Sequence, residues 1–483
     1  MVSLKSYRYR SVKRALEEIE NGTWYFASRE ELNDPIEGYV RVYWQGDKPA
    51  WAGLFRNYIC SLCAIIFHYS LTGEKTYASK PFEEILKDFR NHSMLNNIHQ
   101  FDSLPLGIAL KELRQQFLNN SVVQGFIKFY GENKIKCSAK ELHLILTAIH
   151  NIAFSACVKK LQIVPQNYID VMSFAKPFPV EQLQNLDESE RKKILELFSD
   201  MLADNLEWGL SFNFNIMNDN PKMNLNDKQQ LMNLEVQLNY PAIYISQLKE
   251  LLYPNGYVIC FSEQKDNSAM WGNYAQNHTG VCLVYETHES NGKDVISLAR
   301  GKIELAKVNY SDVTLQKNFF DTLVDRPYNE LEYWLTDENG KRSDHLKEKS
   351  YYEANTDWRR GYWKEYKEKF FTKLTDWTSE QEYRALFCSR EKLNNPIAQT
   401  LTYDPSALKG IIFGINTSAE DRIKLIQKIR SASQLSKDFK FYQAEYDDDL
   451  QKIIIRGKQY LSINEDRKKQ IQEQVMNIGA NGA

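Results

Sequence analysis

Apolar residues follow a strand-like pattern near the start of the chain. Residues 6–10 and 23–27 are rich in aromatic and β-prone side chains, which predicts two short strands. Between them, Val12, Leu16 and Ile19 lie three or four positions apart, which predicts an amphipathic helix. The chain therefore opens as strand, helix and strand.

Long amphipathic helices are predicted from about residue 50 to 250. Two of them open with a capping box, at residues 138–141 and 187–190, where an acidic side chain follows the cap residue by three positions. The Asn-rich stretch 213–227 is polar and is predicted to be a loop. This middle region differs in character from both ends of the chain.

β-prone runs return after residue 256. Short helices are predicted at residues 268–276 and after Ser418, which caps the later one. Because strands occur at both ends of the chain, we predict an α+β fold with a mixed or antiparallel sheet core built from both ends. The later strands are predicted at residues 257–261, 280–285, 301–310, 382–389, 409–414, 440–445 and 452–456.

The chain is predicted to divide into four parts. An N-terminal part of the α+β core spans residues 1–48, and a helical insertion or second domain spans residues 49–250. The C-terminal part of the core spans residues 251–463, and a polar tail spans residues 464–483.

Charge and apolar runs limit the partners of this chain. Lys and Arg number 61 and Asp and Glu 63, so the net charge of −2 does not support nucleic-acid binding over the whole surface. The N-terminus is polar and basic, and the apolar run 59–67 is shorter than the ~18 residues of a spanning helix. We therefore expect a cytoplasmic protein with no membrane partner.

The seven cysteines lie mostly in apolar runs, so we expect buried, reduced thiols. Cys60 and Cys63 have the spacing of a zinc ligand pair, but no second pair matches them. Two core cysteines one helical turn apart is the preferred interpretation, and no metal is predicted.

The segment 377–384 is the first candidate for chemistry. In a strand, alternate residues face the same side, so Glu380, Glu382 and Arg384 are predicted to project together. Two carboxylates beside an arginine can polarise a sugar hydroxyl or stabilise a cationic transition state. A solvent-exposed row of salt bridges is the alternative.

The segment 260–281 is the densest cluster of candidates. On a helix, Trp271 and Tyr274 share a face with Met270, and His278 follows about one turn later. These side chains can line a pocket for a flat ring, which makes them candidate ligand-binding residues. Alternatively, the two aromatic residues pack the helix on the sheet and His278 caps it.

Two N-terminal segments also carry candidate ligand-binding residues. Asn33, Asp34 and Glu37 lie on a loop made rigid by Pro35 and can bind a ribose, a cation or an arginine, or form an Asx turn.

Arg8 and Arg10 share one strand face and suit phosphate recognition, although a polar edge strand would look the same. The aromatic and basic segment 358–369 can bind single-stranded nucleic acid or form a solvated helix.

Taken together, these segments resemble a bacterial family of unknown function. The shared pattern is Tyr-x-Tyr-x-Ser, then a Leu-x-Phe-x-Ser strand followed by Phe-Asn-Asp-Pro-x-Glu, then Phe-Ser-Glu…Met-Trp…Tyr-Ala…His-x-Gly-Val, then Glu-x-Glu-Tyr-Arg and Ile-Phe-Gly. Here the motifs stand at residues 7–11, 24–37, 261–281, 380–384 and 412–414. The region from about 50 to 250 lies outside this resemblance.

The order of some motifs is also similar to that of ADP-ribosyltransferases, which carry an Arg, a Ser and a Glu-x-Glu in that order. The matching residues are Arg8 or Arg10, then Ser262, then Glu380-x-Glu382. This resemblance implies NAD as the substrate, with the Arg on a phosphate or ribose and Ser262 orienting the nicotinamide ribose. Glu382 would bond a ribose hydroxyl and stabilise the oxocarbenium-like transition state, and Trp271 or Tyr274 would stack on nicotinamide. The continuation of this strand into Tyr383 and Arg384 is not required by the transferase pattern.

Three functions remain open from the sequence. The first is an NAD-consuming ADP-ribosyltransferase-like enzyme, such as a toxin or phage-defence effector, acting on a protein or nucleic-acid target. The second is a non-catalytic ligand-sensing or interaction module that uses Trp271, Tyr274 and His278. The third is a metal-dependent nuclease or phosphodiesterase with Asp34, Glu37 and Glu382. No pattern in the sequence identifies the target or the oligomeric state.

Overall fold

The structure is a computed structural model that forms two compact units. The first comprises Met1–Tyr39, Pro254–Leu315 and Lys364–Ala483, and the second comprises Val40–Tyr253 and Gln316–Trp363. The described residues are 5–34, 36–79, 111–161, 178–201, 225–323, 326–353, 355–389, 392–393, 395–432, 435 and 438–458. The predicted tail at 464–483 lies outside the described residues.

A mixed sheet forms the centre of the first unit. Along its main path the strand order is β11-β15-β6-β1-β7-β17-β18-β19, and β3 pairs with β6 off this path. Neighbours are antiparallel except β17 and β18, which are parallel. Strands from both ends of the chain thus share one sheet, which confirms the predicted α+β fold. The strands are β1 (Lys5–Arg10), β3 (Ala27–Ser28), β6 (Asn255–Ser262), β7 (Val281–Glu286), β11 (Ala306–Lys307), β15 (Glu382–Ser389), β17 (Leu408–Phe413), β18 (Lys440–Asp447) and β19 (Lys452–Gly457).

Each face of this sheet carries its own apolar core, because side chains alternate along a strand. The larger core joins Leu283 and Tyr285 of β7 to the helices α1 (Val12–Asn21) and α11 (Ala419–Ser431). The smaller core joins Cys282 and Val284 of β7 to Trp271, on the helix α7 (Ser268–Tyr274).

Local signals set the ends of α1. The Arg14 backbone N–H donates to the side chain of Ser11, the N-cap residue, and Gly22 ends the helix in the left-handed conformation at φ 60°. The apolar spacing turns Ala15 and Ile19 towards the sheet, and Glu18 is buried with them. This acidic side chain becomes part of the site described below.

Short strands complete the first unit. The predicted single strand at 301–310 is wrong, because the chain there forms three short strands in three different sheets. These are β10, β11 and β12. The remaining short strands are β2 (Thr23–Tyr25), β8 (His288–Ser290), β9 (Lys293–Ser297), β10 (Lys302–Glu304), β12 (Asn309–Tyr310), β14 (Thr372–Lys373) and β16 (Thr400–Thr402).

The second unit is mainly helical. Its longest helices, α2, α5 and α6, pack on one another around buried aromatic side chains such as Tyr58 and Tyr240. The described elements are α2 (Lys48–Ser79), α3 (Lys111–Leu118), α4 (Ser121–Asn133), α5 (Ala139–Leu161), α6 (Leu225–Glu250), α8 (Phe319–Thr322), α9 (Tyr328–Trp334), and strands β4 (Val40–Trp44), β5 (Cys137–Ser138) and β13 (Leu315–Asn318). Helix α10 (Asp357–Phe370) begins in this unit and ends in the first.

Two sequence predictions need correction in this unit. Residues 225–227 belong to α6, so the loop predicted at 213–227 ends earlier; residues 213–224 lie outside the described residues. Cys63 and Cys157 form a disulfide between α2 and α5, rather than two reduced thiols. Cys60 is buried one turn before Cys63, as predicted.

Two described helices have the length and composition of membrane spans. They are Lys48–His68 and Ala139–Leu161, and most of each is buried inside the protein. A core helix of a globular protein passes the same test, so we interpret both as core helices of the second unit.

Candidate functional site

The main sheet is open between β1 and β6. β1 pairs with β7 along its whole length, but it meets β6 only where Tyr7 lies opposite Ser262. Beyond that point the Arg8 guanidinium donates a hydrogen bond to the Cys260 carbonyl of β6, at 3.0 Å. A side chain thus bridges a gap that backbone hydrogen bonds close elsewhere in the sheet.

A cavity of about 600 Å³ occupies this opening, within the first unit. Side chains from β1, α1, β6, α7, β14 and β15 form its wall, together with the loop that follows β3. The candidate residues among them are Arg8, Arg10, Asn33, Glu37, Ser262, Tyr274, Glu382 and Arg384.

The opening joins residues from opposite faces of the sheet. Arg8 and Arg10 point towards α1, where they meet Glu18. Glu382 of β15 pairs with Ser262 of β6, and both side chains lie on the other face of the sheet. This follows because the next residue, Tyr383, packs against the larger core and side chains alternate along a strand. A closed sheet would separate these groups, and the gap between β1 and β6 brings them to one cavity.

One wall of the cavity is basic. Arg8 and Arg10 both bind the same oxygen of Glu18, at 3.2 and 3.1 Å. At this contact two guanidiniums face one carboxylate, and Arg14 also lines the cavity, together with Glu17 and Glu31. A basic wall of this kind suits a phosphate group.

Glu18 is held by more than its two arginines. Tyr285 donates a hydrogen bond to Glu18 Oε1 at 2.6 Å, and the larger core encloses both side chains. Burial raises the pKa of Glu18, although Arg10 and Tyr285 oppose this rise. The ionised form of Glu18 therefore depends on these partners.

Replacing Tyr285 with Phe is expected to lower the free energy of unfolding by about 1.5–3 kcal/mol, because a buried carboxylate loses a donor. The change raises the pKa of Glu18 further in the folded state. The loss of stability should therefore grow as the pH rises above 4.5, the ordinary pKa of a Glu carboxyl. Urea unfolding at several pH values measures it. Tyr446→Phe, at an exposed tyrosine of β18, is the matched control and should change stability by less than about 0.5 kcal/mol. A pH-independent loss would contradict this account.

The opposite wall holds a buried network of five ionisable groups, of which all but Glu380 line the cavity. The Lys373 ammonium, on β14, lies 2.6 Å from Glu380, 3.4 Å from Glu382 and 3.6 Å from Glu37. Arg384 binds Glu382 at 2.6 Å and also pairs with Glu37. Each of these five side chains is at most 6% exposed, so solvent screens their interactions little.

The network sets the ionisation of its members. Burial alone would raise the pKa of Glu382, but Arg384 and Lys373 lower it. Burial alone would lower the pKa of Lys373, but Glu382, Glu37 and Glu380 raise it. For Glu37, burial outweighs Arg384 and Lys373, and its pKa is raised. With all five groups ionised, three carboxylates face two cations, and one negative charge remains.

Tyr274 and Asn33 extend this network to the mouth of the cavity. The Tyr274 hydroxyl donates to Glu380 Oε1 at 2.7 Å and accepts from the Asn33 amide at 2.6 Å. Burial and the Glu380 carboxylate raise the pKa of Tyr274, so the hydroxyl stays protonated. Asn33 is exposed, whereas Glu380 is buried, so the chain of bonds runs from solvent inwards.

Glu380 reaches the network for a different reason than the sequence indicated. It ends a 3-10 helix, Thr375–Glu380, and Gln381 adopts a left-handed conformation before β15 begins at Glu382. The prediction that alternation on one strand aligns Glu380 with Glu382 and Arg384 is therefore wrong for Glu380. A tight turn, rather than the strand, brings its carboxylate to Lys373.

Ser262 has a structural role. It is fully buried, donates to the Glu380 backbone carbonyl at 2.7 Å and accepts from the Gln264 backbone N–H at 3.1 Å. It ties the end of β6 to the turn that carries Glu380, so it positions the acidic wall.

Three predicted ligand-binding residues do not line the cavity. Trp271 is fully buried, packs edge-on against Tyr9 at 5.1 Å and donates to the Lys265 carbonyl, so it belongs to the smaller core. His278 stacks on Trp271 at 6.5 Å in the turn after α7. Asp34 accepts from the Ile36 backbone N–H at 2.9 Å, as an Asx turn does.

The described residues do not favour a metal centre. No group of three or more His, Cys, Asp or Glu side chains among them is arranged to hold a metal ion. Of the carboxylates named for a nuclease, Glu37 and Glu382 already face Lys373 and Arg384.

Lys373, Glu18 and Tyr285 were not identified from the sequence as site residues. Lys373 lies in a two-residue strand of a highly charged stretch, and its partners are Glu37, Glu380 and Glu382. Glu18 gave a weak signal, because an acidic residue directly before Ile19 stands on the apolar side of an amphipathic helix.

Residues 270–385 match the model of a family described as "Protein of unknown function (DUF2971)". The chain thus carries a DUF2971 domain of unknown function at these residues. Tyr274, Lys373, Glu380, Glu382 and Arg384 lie inside this span, whereas Arg8, Arg10, Glu37 and Ser262 precede it. No curated protein and no solved structure matches the chain.

Proposed function

We propose that the cavity between β1 and β6 binds NAD and that the protein is an ADP-ribosyltransferase-like enzyme acting on a macromolecular target, as a toxin or phage-defence effector would. One observation carries this proposal. The open sheet gives a single cavity a basic wall at Arg8 and Arg10 and a carboxylate wall at Glu382. Its volume of about 600 Å³ is in the range of small-molecule and cofactor sites.

The two walls are complementary to the two charged parts of NAD. The central pyrophosphate is anionic and suits the guanidiniums of Arg10 and Arg14. The nicotinamide ring is cationic and suits the negative network around Glu382. A dinucleotide that spans the cavity would therefore be oriented by charge as well as by shape.

Carboxylates at this wall also suit the chemistry of nicotinamide release. When the bond between nicotinamide and ribose breaks, positive charge develops on the ribose, and a fixed negative group stabilises it. The network of Lys373, Arg384 and three carboxylates keeps one net negative charge and is held rigid by its ion pairs. In this proposal Glu382 accepts a hydrogen bond from a ribose hydroxyl, and the Tyr274 ring lies beside nicotinamide.

The test is an NAD consumption assay. Purified protein is incubated with NAD, with and without bacterial cell extract, and free nicotinamide is measured by mass spectrometry. We expect nicotinamide release and a mass gain of one ADP-ribose group on a component of the extract. NADH, whose neutral ring lacks the charge that the acidic wall favours, should not be consumed. If the purified protein neither binds NAD nor releases nicotinamide with any extract, the proposal is wrong.

A second candidate is a non-catalytic ligand-sensing module, and one observation favours it. Glu382 and Glu380 are both engaged by cations, which weakens their interaction with a ligand. This alternative predicts that the cavity binds a nucleotide without consuming it. Calorimetric NAD binding with no nicotinamide release over hours would support the sensor and contradict the enzyme.

A further inference from the structure

A second cavity, of about 490 Å³, lies in the first unit beside the acidic wall. It shares two lining residues with the first cavity, Glu37 and Lys373, whose charged groups are 3.6 Å apart. The same ion pair therefore borders both spaces. Adjoining spaces suit a transferase, because the acceptor must come within bonding distance of a carbon of the bound donor.

The rim of the second cavity is aliphatic and exposed. Ile36 and Val313 are 51% and 79% exposed, and Tyr39 beside them is 39% exposed. Exposed apolar side chains around a cavity mark a surface for a partner. Single-stranded nucleic acid is bound chiefly by stacked aromatic rings, whereas this rim is mainly aliphatic, so a protein surface fits it better.

The lining of the second cavity holds three lysines and two carboxylates, Glu37 and Glu368, so cations are in excess. Lys307 and Lys369 contribute ammonium groups in addition to Lys373. Burial and the neighbouring Arg29 lower the pKa of Lys369 to about 8, which leaves it mostly charged at neutral pH. Lys307 is half exposed and pairs with Glu263 at 2.8 Å. An incoming carboxylate would complement these charges.

Glu382 is poorly suited to remove a proton from an acceptor. Glu382 binds Arg384 and Lys373, and Glu380 binds Lys373 and Tyr274. Arg384 and Lys373 lower the pKa of Glu382 despite its burial, so this carboxylate is a weak base. An acceptor that is already deprotonated avoids this requirement.

We propose that the second cavity receives an Asp or Glu side chain of a protein partner and that this carboxylate is the acceptor of ADP-ribose. The proposal rests on the proposed function. In the step, a carboxylate oxygen forms a bond to the C1 carbon of the nicotinamide ribose. The bond from that carbon to the ring nitrogen breaks, its electron pair goes to the ring, and neutral nicotinamide leaves. No proton is transferred, and the product is an ester.

Poly-L-glutamate is the probe, with NAD labelled in its adenylate part. We expect label on poly-L-glutamate that neutral hydroxylamine removes, as it does from esters. Label on poly-L-lysine or polyuridylate instead, hydroxylamine-resistant label, or nicotinamide release with no label on poly-L-glutamate would each overturn the acceptor assignment.

A double lysine variant and a control variant test whether the second cavity binds the acceptor. In Lys307→Gln combined with Lys369→Gln, transfer to poly-L-glutamate should fall at least about tenfold, while nicotinamide release into water continues. Lys424→Gln, which removes an exposed lysine of α11, is the matched control and should keep full transfer. Equal transfer by the double variant and the control would overturn the proposal.

A binding measurement distinguishes a failure of this inference from a failure of the proposed function. The affinity for poly-L-glutamate is measured without NAD, and the double variant should weaken it about tenfold relative to Lys424→Gln. If wild-type protein releases no nicotinamide but binds poly-L-glutamate through these lysines, the enzyme proposal fails and the acidic-partner surface stands. If binding does not depend on the lysines, the surface assignment fails.

Discussion

Replacing Lys373 with Met is expected to lower the free energy of unfolding by about 3–5 kcal/mol, because it leaves a buried charge network without one of its cations. In the wild-type protein three carboxylates face two cations, and Lys373 contacts all three carboxylates. In the variant Glu37, Glu380 and Glu382 face Arg384 alone, so the net charge of the buried network rises from one to two negative units. Urea or thermal unfolding measures the loss.

The pH dependence of this loss gives an independent check. Without Lys373, burial raises the pKa of the remaining carboxyls in the folded state, as it already does for Glu37. A raised pKa contributes stability at low pH that is lost as the pH rises. The difference in unfolding free energy between wild type and Lys373→Met should therefore be largest near neutral pH. It should narrow as the pH falls towards 4.5, the ordinary pKa of a Glu carboxyl.

Two control variants make the Lys373 result specific. Lys373→Arg keeps the cation and should retain most of the stability. Lys293→Met removes a half-exposed lysine that binds Glu304 at 2.7 Å, and should cost no more than about 1 kcal/mol. Equal losses of stability for Lys293→Met and Lys373→Met would show that the buried network stabilises the fold no more than an exposed ion pair does.

Replacing Glu382 with Gln is expected to reduce nicotinamide release by about 100-fold or more, since it removes a charge aimed at the developing cation. The fold should survive this change. The buried network loses one carboxylate of three and becomes neutral, with Lys373 still facing Glu380 and Arg384 still facing Glu37. Steady-state kinetics with NAD, together with unfolding curves, separates the loss of activity from a loss of structure.

Glu445→Gln is the matched control for Glu382→Gln. Glu445 lies on β18 of the same sheet and pairs with Arg456 at 2.9 Å near the surface. It should leave nicotinamide release unchanged. If Glu382→Gln releases nicotinamide as fast as Glu445→Gln, the carboxylate is not catalytic and the ligand-sensing alternative gains support.

Local signals in the sequence predicted much of the first unit. The apolar spacing from Val12 to Ile19 gave α1, and β-prone runs gave β6, β7 and β15 to within a few residues. These elements are determined by neighbours in the chain, so periodicity and turn residues suffice to identify them.

The network around Lys373 could not be predicted in the same way. Its members come from residues 37, 373, 380, 382 and 384, and a two-residue strand gives no periodic signal. The disulfide between Cys63 and Cys157 joins residues 94 positions apart, on two different helices. Contacts of this kind depend on tertiary packing, which a single sequence does not encode locally.

The gap between β1 and β6 makes the size of the first cavity a property of the whole sheet. β1 is fixed by β7 on its other side, and β6 is fixed by β15. A small shift of one half of the sheet relative to the other widens or narrows the space, although no wall residue changes. Core substitutions behind β7 or β15 can therefore tune ligand affinity from a distance, and a random mutagenesis screen would recover such positions outside the binding wall.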